Sequence, residues 1–215
     1  SGSTSKGKTN FIDTVGIRIL KSHRFEDIGQ GEVDFGQFDE AREVFGVSGA
    51  AVLYRRKALE DVNFKNEHGE REFFDESMFM YKEDVDLAYR LQWAGWKAMY
   101  APVAVAYHDR TVGGKHRSAL DLVRNRLKKS KNVNQNSYMN HRILLQKNFS
   151  NAFSTDIRSA TAWYNLKVFL YILIFETELL GVWWKIFRMR KRIRAWRSAM
   201  PRRVSKTEIE KFMES

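Results

Sequence analysis

The chain has 215 residues, 43% hydrophobic and 13% aromatic, enough to bury the core of one domain or of one and a half. It contains no cysteine, which excludes disulfides, cysteinyl zinc sites and a thiol nucleophile, and which fits a reducing compartment. A formal net charge of +11 points to anionic partners: nucleic acid, acidic lipid headgroups or phosphorylated substrates.

Residues 1–10, SGSTSKGKTN, are small and polar and read as a flexible tail or an expression remnant, not as a secretory signal. The β-branched, period-two run IDTVGIRIL predicts a strand over 15–20. The Gly- and acid-rich EDIGQGEVDFGQFDEAREV reads as an ordered loop. FGVSGAAVLYRR predicts a small-residue strand, with Gly46 and Gly49 permitting close approach of a ligand or a neighbouring strand. KALEDV is a short helix. From about Glu83, helical spacing places Val85, Ala88 and Leu91 on one face, and Gly95 is the stop. WKAMYAP and VAVAYH are short strands. Alternating strands and helices predict an α/β layer over residues 11–115.

The charge then changes. Acids concentrate in residues 25–90, whereas 110–203 are strongly basic, so residues 116–215 read as a second, helical segment. Residues 117–148 are amphipathic, with Leu120, Val123, Leu127, Ile143 and Leu144 on the buried side and an expected break near KNVNQNS. Residues 157–199 predict one long helical stretch whose apolar run, 168–187, is interrupted by Glu176 and Glu178. A spanning helix wants ~20 uninterrupted apolar residues, and carboxylates at mid-depth are costly. With Trp163, Trp183, Trp184 and Trp196 flanking and Arg188, Arg190, Lys191, Arg192, Arg194 and Arg197 following, a helix lying on an anionic membrane surface is the favoured reading. A buried or partner-packing helix and a spanning or re-entrant one are the alternatives. The cations lie beside an apolar helix and not around stacking platforms, which argues against nucleic acid as the partner.

The chemistry-bearing stretch is YKEDVDLAYR, residues 81–90. Asp84 falls in the first turn of a helix, where the positive end of the macrodipole favours an ionised carboxylate, the state a general base needs. Glu83 beside it could hold a hydroxyl or a cation. Asp86 and Arg90, four apart, read as a surface ion pair. Acidic residues are also ordinary decoration at a helix N-terminus, so the cluster alone does not decide. Asp75 and Glu76 precede it in an aromatic-rich turn. His108 ends VAVAYH on the same face as the small Ala104 and Ala106, as a metal ligand or a structural histidine. In DRTVGGKHR, Gly113 and Gly114 form a hinge among Arg110, Lys115, His116 and Arg117, suited to closing over a diphosphate.

In this order and spacing, GQFDEAREVFGVSGAAVLYRRKAL, FFDESMFMYKEDVDLAYRLQWAGWKAMYAP and VAVAYH resemble the C-terminal half of bacterial family 2 glycosyltransferases of the rhamnosyltransferase-like kind, closely over residues 11–115. The resemblance implies a partial GT-A domain carrying a C-terminal helical, membrane-associating segment. It also implies inverting transfer of a sugar from a nucleotide-sugar to a hydroxyl of a glycan or lipid-linked acceptor. By that likeness Asp84 is the base, Glu83 assists the acceptor, and His108 is the third ligand of a Mg²⁺ or Mn²⁺ on the donor diphosphate. Gly49 and Ala50 would lie on the donor-sugar side, Trp96 against donor or acceptor, and Arg110 near the diphosphate. The family's nucleotide-binding half, with a DXD-type metal motif, would precede this segment, and Asp34, Asp39 and Glu40 are in the wrong place to replace it. The chain by itself is therefore expected to be inactive unless an N-terminal half is supplied, and to work peripherally on the cytoplasmic face of the inner (plasma) membrane. The rival reading is a non-catalytic, membrane-associated interaction protein with a degenerate transferase half-domain.

Overall fold

The structure, a computed structural model, describes residues 10–66, 68–108 and 130–214. Residues 1–9 of the expected tail, Arg110, Gly113 and Gly114, and Leu120, Val123 and Leu127 lie outside these residues.

Strand β1 (Ile17–Leu20) shows the period-two alternation its sequence predicts: Ile17 and Ile19 are buried, while Arg18 and Leu20 are half-buried. It pairs antiparallel with β2 (Phe25–Asp27) and parallel with β7 (Met213–Glu214), so the last described strand closes on the first. On the outer face Arg18 reaches Glu26 of β2 at 2.8 Å and Glu214 of β7 at 3.3 Å. A second antiparallel pair joins β3 (Arg42–Val44) to β6 (Ala98–Tyr100), and a bridge from Ile17 to Gly46 ties it to β1. β4 (Phe64–Lys65) and β5 (Arg71–Glu72) form a small hairpin. The helices are α1 (Arg56–Val62), α2 (Glu83–Trp93), α3 (Lys131–Asn148), α4 (Thr155–Phe175), α5 (Gly181–Ala199) and α6 (Lys206–Glu210).

Four expected elements change. The strand expected in FGVSGAAVLYRR pairs upstream instead, at β3, and 47–55 is a loop. Gly46 explains why: a Cβ there would lie 2.5 Å from the Cβ of Ala88, so the backbone runs tight against α2 and then leaves the sheet. VAVAYH has strand-like alternation but no ladder partner among the described residues, and Val103 and Val105 are 94% and 71% exposed. KNVNQNS is no break. It is the first two turns of α3, with the Ser130 hydroxyl accepting from the Val133 N–H at the N-cap. The long helix over 157–199 is two helices joined by a 3-10 turn (Thr177–Leu180), because Glu176 leaves helical geometry at φ −138°, ψ 52°. Its carboxylate is buried and accepts from the Tyr171 hydroxyl at 3.1 Å. Among the described residues no helix is long and apolar enough to cross a membrane.

One buried cluster draws on the α/β layer and the later helices alike. Ile19, Phe45, Tyr89 and Trp93 meet Ile143 and Leu144 of α3, Ile157 and Ile172 of α4, Ile186 of α5, and Met213 of β7. Helix α2 lies inside this packing, and residues 85–90 are all buried, leaving no solvent face for an ion pair.

That corrects the reading of Asp86 and Arg90. Their side chains are 0% and 1% exposed, with Nε 3.0 Å from the Asp86 carboxylate. Arg90 also donates to the carbonyls of Val62 at 2.8 Å and Phe73 at 2.6 Å. A fully buried lysine, Lys147 of α3, places Nζ 2.5 Å from Asp86 and 3.2 Å from Asp75. Asp75 therefore serves the interior and not the cleft described below. Burial alone would raise the Asp86 pKa, but Lys147 and Arg90 outweigh it and hold the carboxyl below its ordinary value. The Lys147 ammonium lies 4.6 Å from the Trp196 ring centre and 5.3 Å from that of Phe64.

Two predictions follow from this interior. Lys147→Met removes the buried cation from Asp75 and leaves Asp86 with Arg90 alone, so chemical denaturation should show a loss of about 3–5 kcal/mol; a cost within experimental error would mean this charge cluster is not what joins α3 to α2. His23 is fully buried between Phe149 and Phe153, and burial lowers its pKa from 6.5 to about 4. The neutral form is the folded one, so its contribution is intact above pH 6.5 and is lost as pH falls toward 4, by about 3 kcal/mol. His23→Phe should flatten that acid limb in urea titrations across pH.

Candidate active site

Between the 47–55 loop, the C-terminal half of α2 and residues 96–108 lies a cleft of about 620 Å³. Ala50, Trp96 and His108, three of the expected site residues, line it together, beside Ser48, Tyr54 and Ala104. Glu83 and Asp84 do not line it directly. Asp84 is half-buried, and its carboxylate accepts from the Gly49 N–H at 3.2 Å, between two cleft-lining residues, Ser48 and Ala50. Its other oxygen accepts from the Val85 N–H at 2.8 Å. Gly49 serves through its N–H. A Cβ there would meet only ordinary contact, 3.9 Å from Asp84, so among the described residues the backbone is pressed against a neighbouring element at Gly46 and not at Gly49.

The electrostatics of Asp84 run opposite to the helix-dipole expectation. Burial raises its pKa, and the two N–H bonds only partly offset that. Burial also raises Glu83, whose Oε2 is buried with no hydrogen-bond partner among the described residues. Tyr54, on the cleft wall, is pushed up to about 12 by burial and by the Asp84 charge, so the two groups sense each other.

The acids are aimed by a strained turn. Tyr81 and Lys82, immediately before α2, both have positive φ, 69° and 72°, unusual for residues with side chains. Asn140 of α3, 1% exposed, donates from Nδ2 to the carbonyls of both Met80 at 2.7 Å and Tyr81 at 2.8 Å. The sequence offered one faint signal for it, an amide inside an otherwise amphipathic helix. Nothing in the sequence linked it to a turn sixty residues earlier.

At the far end of the cleft His108 Nδ1 lies 3.0 Å from the Asp13 carboxylate. Asp13 carries no sequence signal for this contact: it sits ninety-five positions away in a run that reads only as the lead-in to a strand. A carboxylate on one imidazole nitrogen fixes the tautomer and turns the other toward a ligand. Among the described residues no three His, Asp or Glu side chains gather as a metal site. The arrangement leaves one imidazole nitrogen of His108 as a candidate ligand atom. Trp96 is anchored by its Nε1–H to Asp61 at 2.8 Å, and Arg203 grips the same carboxylate.

Asn140→Ala should leave the core folded but release the turn. Amide exchange at residues 80–85 should rise by about tenfold or more, while Asn140→Asp, which keeps an acceptor but loses the donor, should behave like the alanine variant. Unchanged protection would remove Asn140 from this role.

Comparison with known proteins agrees with the geometry. The family model described as "Glycosyltransferase like family 2" matches residues 18–131, more than half of the chain. Two curated relatives, the N-acetylglucosaminyl-diphospho-decaprenol L-rhamnosyltransferases of Mycobacterium tuberculosis strains CDC 1551 / Oshkosh and ATCC 25618 / H37Rv, are each 42% identical over 69 residues. Those 69 residues are 32% of this chain and 20% of each relative, so the match spans about a fifth of their length. No solved structure matches. The family match takes in β1, α2 and the cleft residues Ala50, Trp96 and His108, and the chain belongs to the glycosyltransferase-like family 2.

Proposed function

We propose that this protein takes part in transferring a sugar from a nucleotide-sugar to a hydroxyl of a glycan or lipid-linked acceptor, with inversion and with Asp84 as the general base. The observation that carries the reading is the Asp84 carboxylate, held by the Gly49 N–H between two residues of the cleft wall. A base must be oriented before its pKa matters, and two backbone N–H groups orient this one. In the step, Asp84 accepts the acceptor's hydroxyl proton as the acceptor oxygen bonds the anomeric carbon. The bond from that carbon to the diphosphate oxygen breaks on the opposite face, and the nucleoside diphosphate leaves with the electron pair. Glu83, half-buried beside the base with its Oε2 unpaired among the described residues, suits a second contact to the acceptor.

Ala50 and Trp96 are assigned to the cleft wall against donor or acceptor. Trp96 offers a flat face that its Asp61 bond holds in place. His108, oriented by Asp13, would hold a Mg²⁺ or Mn²⁺ through its remaining nitrogen. Such an ion, when bound, supplies positive charge against the leaving diphosphate. The relatives' names specify an L-rhamnosyl group and an N-acetylglucosaminyl-diphospho-decaprenol acceptor. The class carried over here is a lipid-linked sugar diphosphate.

The test is Asp84→Asn in the full-length protein. Transfer should fall by at least about 10²-fold while nucleotide-sugar affinity, read by calorimetry, stays within a few-fold; retained turnover would overturn the assignment. The pH profile gives a second reading. A base raised by burial must still be deprotonated to work, so the acid limb of kcat/KM should lie above the ordinary aspartate value of 3.8 and turnover should fall as pH drops through it.

A further inference from the structure

We infer that the α4–α5 pair, hinged at the 3-10 turn, is a docking surface for an anionic lipid bilayer. The first observation is exposure. Trp163, Ile174, Phe175 and Trp184 are each more than 60% exposed, and Leu170 and Phe187 about half. Exposed apolar side chains grouped in this way mark an interaction site. On α4, Trp163, Leu166, Leu170 and Ile174 recur at helical spacing. Leu180 at the N-cap of α5 and Trp184 and Phe187 on it do the same, and that face continues into Arg188, Lys191 and Arg194, all exposed.

The second observation is charge. Residues 157–203 contain eleven lysines and arginines and only two acids, Glu176 and Glu178. The structure withdraws one of these acids from the surface and pairs the other with a cation. Glu176 is buried against Tyr171, and Glu178 faces Lys131 at 3.4 Å. The objection that carboxylates at mid-run would oppose insertion therefore disappears, because the chain turns at that point and hides one of them. Arg190 packs over the Phe187 ring at 3.9 Å, so cation and apolar ring form one surface.

These features choose among occupants. A second copy of the chain would bring this positive surface against itself across a two-fold axis. A nucleic acid would satisfy the arginines and leave the leucines and phenylalanines in water. A bilayer with anionic headgroups satisfies both, with tryptophans at headgroup depth. The inference stands apart from sugar transfer and needs no nucleotide-sugar to test.

The experiment floats the full chain with vesicles of phosphatidylcholine alone, or with roughly one-third phosphatidylglycerol. The chain should float with the anionic vesicles, and Trp emission should shift to the blue. Raising salt from ~0.1 M to ~1 M should release most of it. The double variant Phe175→Glu/Trp184→Glu should lose about tenfold or more of the binding, with far-UV circular dichroism reporting that it is folded. Arg188→Gln/Lys191→Gln/Arg194→Gln, which alters no buried residue, should lose the preference for phosphatidylglycerol. A folded wild-type chain that stays at the bottom of the gradient with anionic vesicles would overturn the inference. So would a lipid-free dimer in sedimentation equilibrium that Trp184→Glu dissociates.

Discussion

Lys147 has no contact with water, and its ammonium sits among Asp86, Asp75 and the rings of Trp196 and Phe64. Two positive and two negative side chains thus meet in the middle of the molecule, Arg90 completing the set. Taking such charges out of water is costly, and only near-complete mutual pairing makes it tolerable. The knot can exist in few arrangements, and this selectivity is its structural consequence. It requires α3 to lie at one height and rotation against α2, and it requires the β4–β5 region to supply the Phe73 and Val62 carbonyls to Arg90.

The position of α3 then decides the candidate site. Two turns before Lys147 on the same helix, Asn140 reaches the carbonyls of Met80 and Tyr81 and holds the two left-handed residues that start α2. Glu83 and Asp84 emerge from that turn. The acids of YKEDVDLAYR therefore divide by direction: Asp86 points into the interior and neutralises cations there, while Asp84 faces the Gly49 loop at the cleft wall. A basic chain concentrates acids in this stretch because two different demands, one of packing and one at the cleft, fall on opposite sides of one helical turn.

Much of this was legible in the amino-acid order. β1, α1, the start of α2 and its stop at Gly95 are local signals: alternation, 3.6-residue spacing, and a glycine with φ 85°. The family could be read from the order of three segments. Where local signals misled, a distant partner was responsible. VAVAYH alternates like a strand but has no ladder to join among the described residues. The FGVSGAA run gives up strand pairing after Gly46 because Ala88 is pressed against it. Asp86 and Arg90 at i, i+4 look the same on paper whether the helix is exposed or enclosed, and only the packing of α3 and α5 over α2 told them apart.

What the sequence determined by itself is the set of groups available: a carboxylate pair at a helix start, an imidazole after an extended run, an excess of cations beside apolar helices, and no thiol. Tertiary structure alone decided which of these meet. It joined His108 to Asp13, Asp84 to Gly49 and Lys147 to Asp86, and it turned Glu176 inward. Helix and strand periodicity report contacts within a few residues, whereas these pairings span five to ninety-five positions. They arise from burying one shared core, whose shape no local segment encodes.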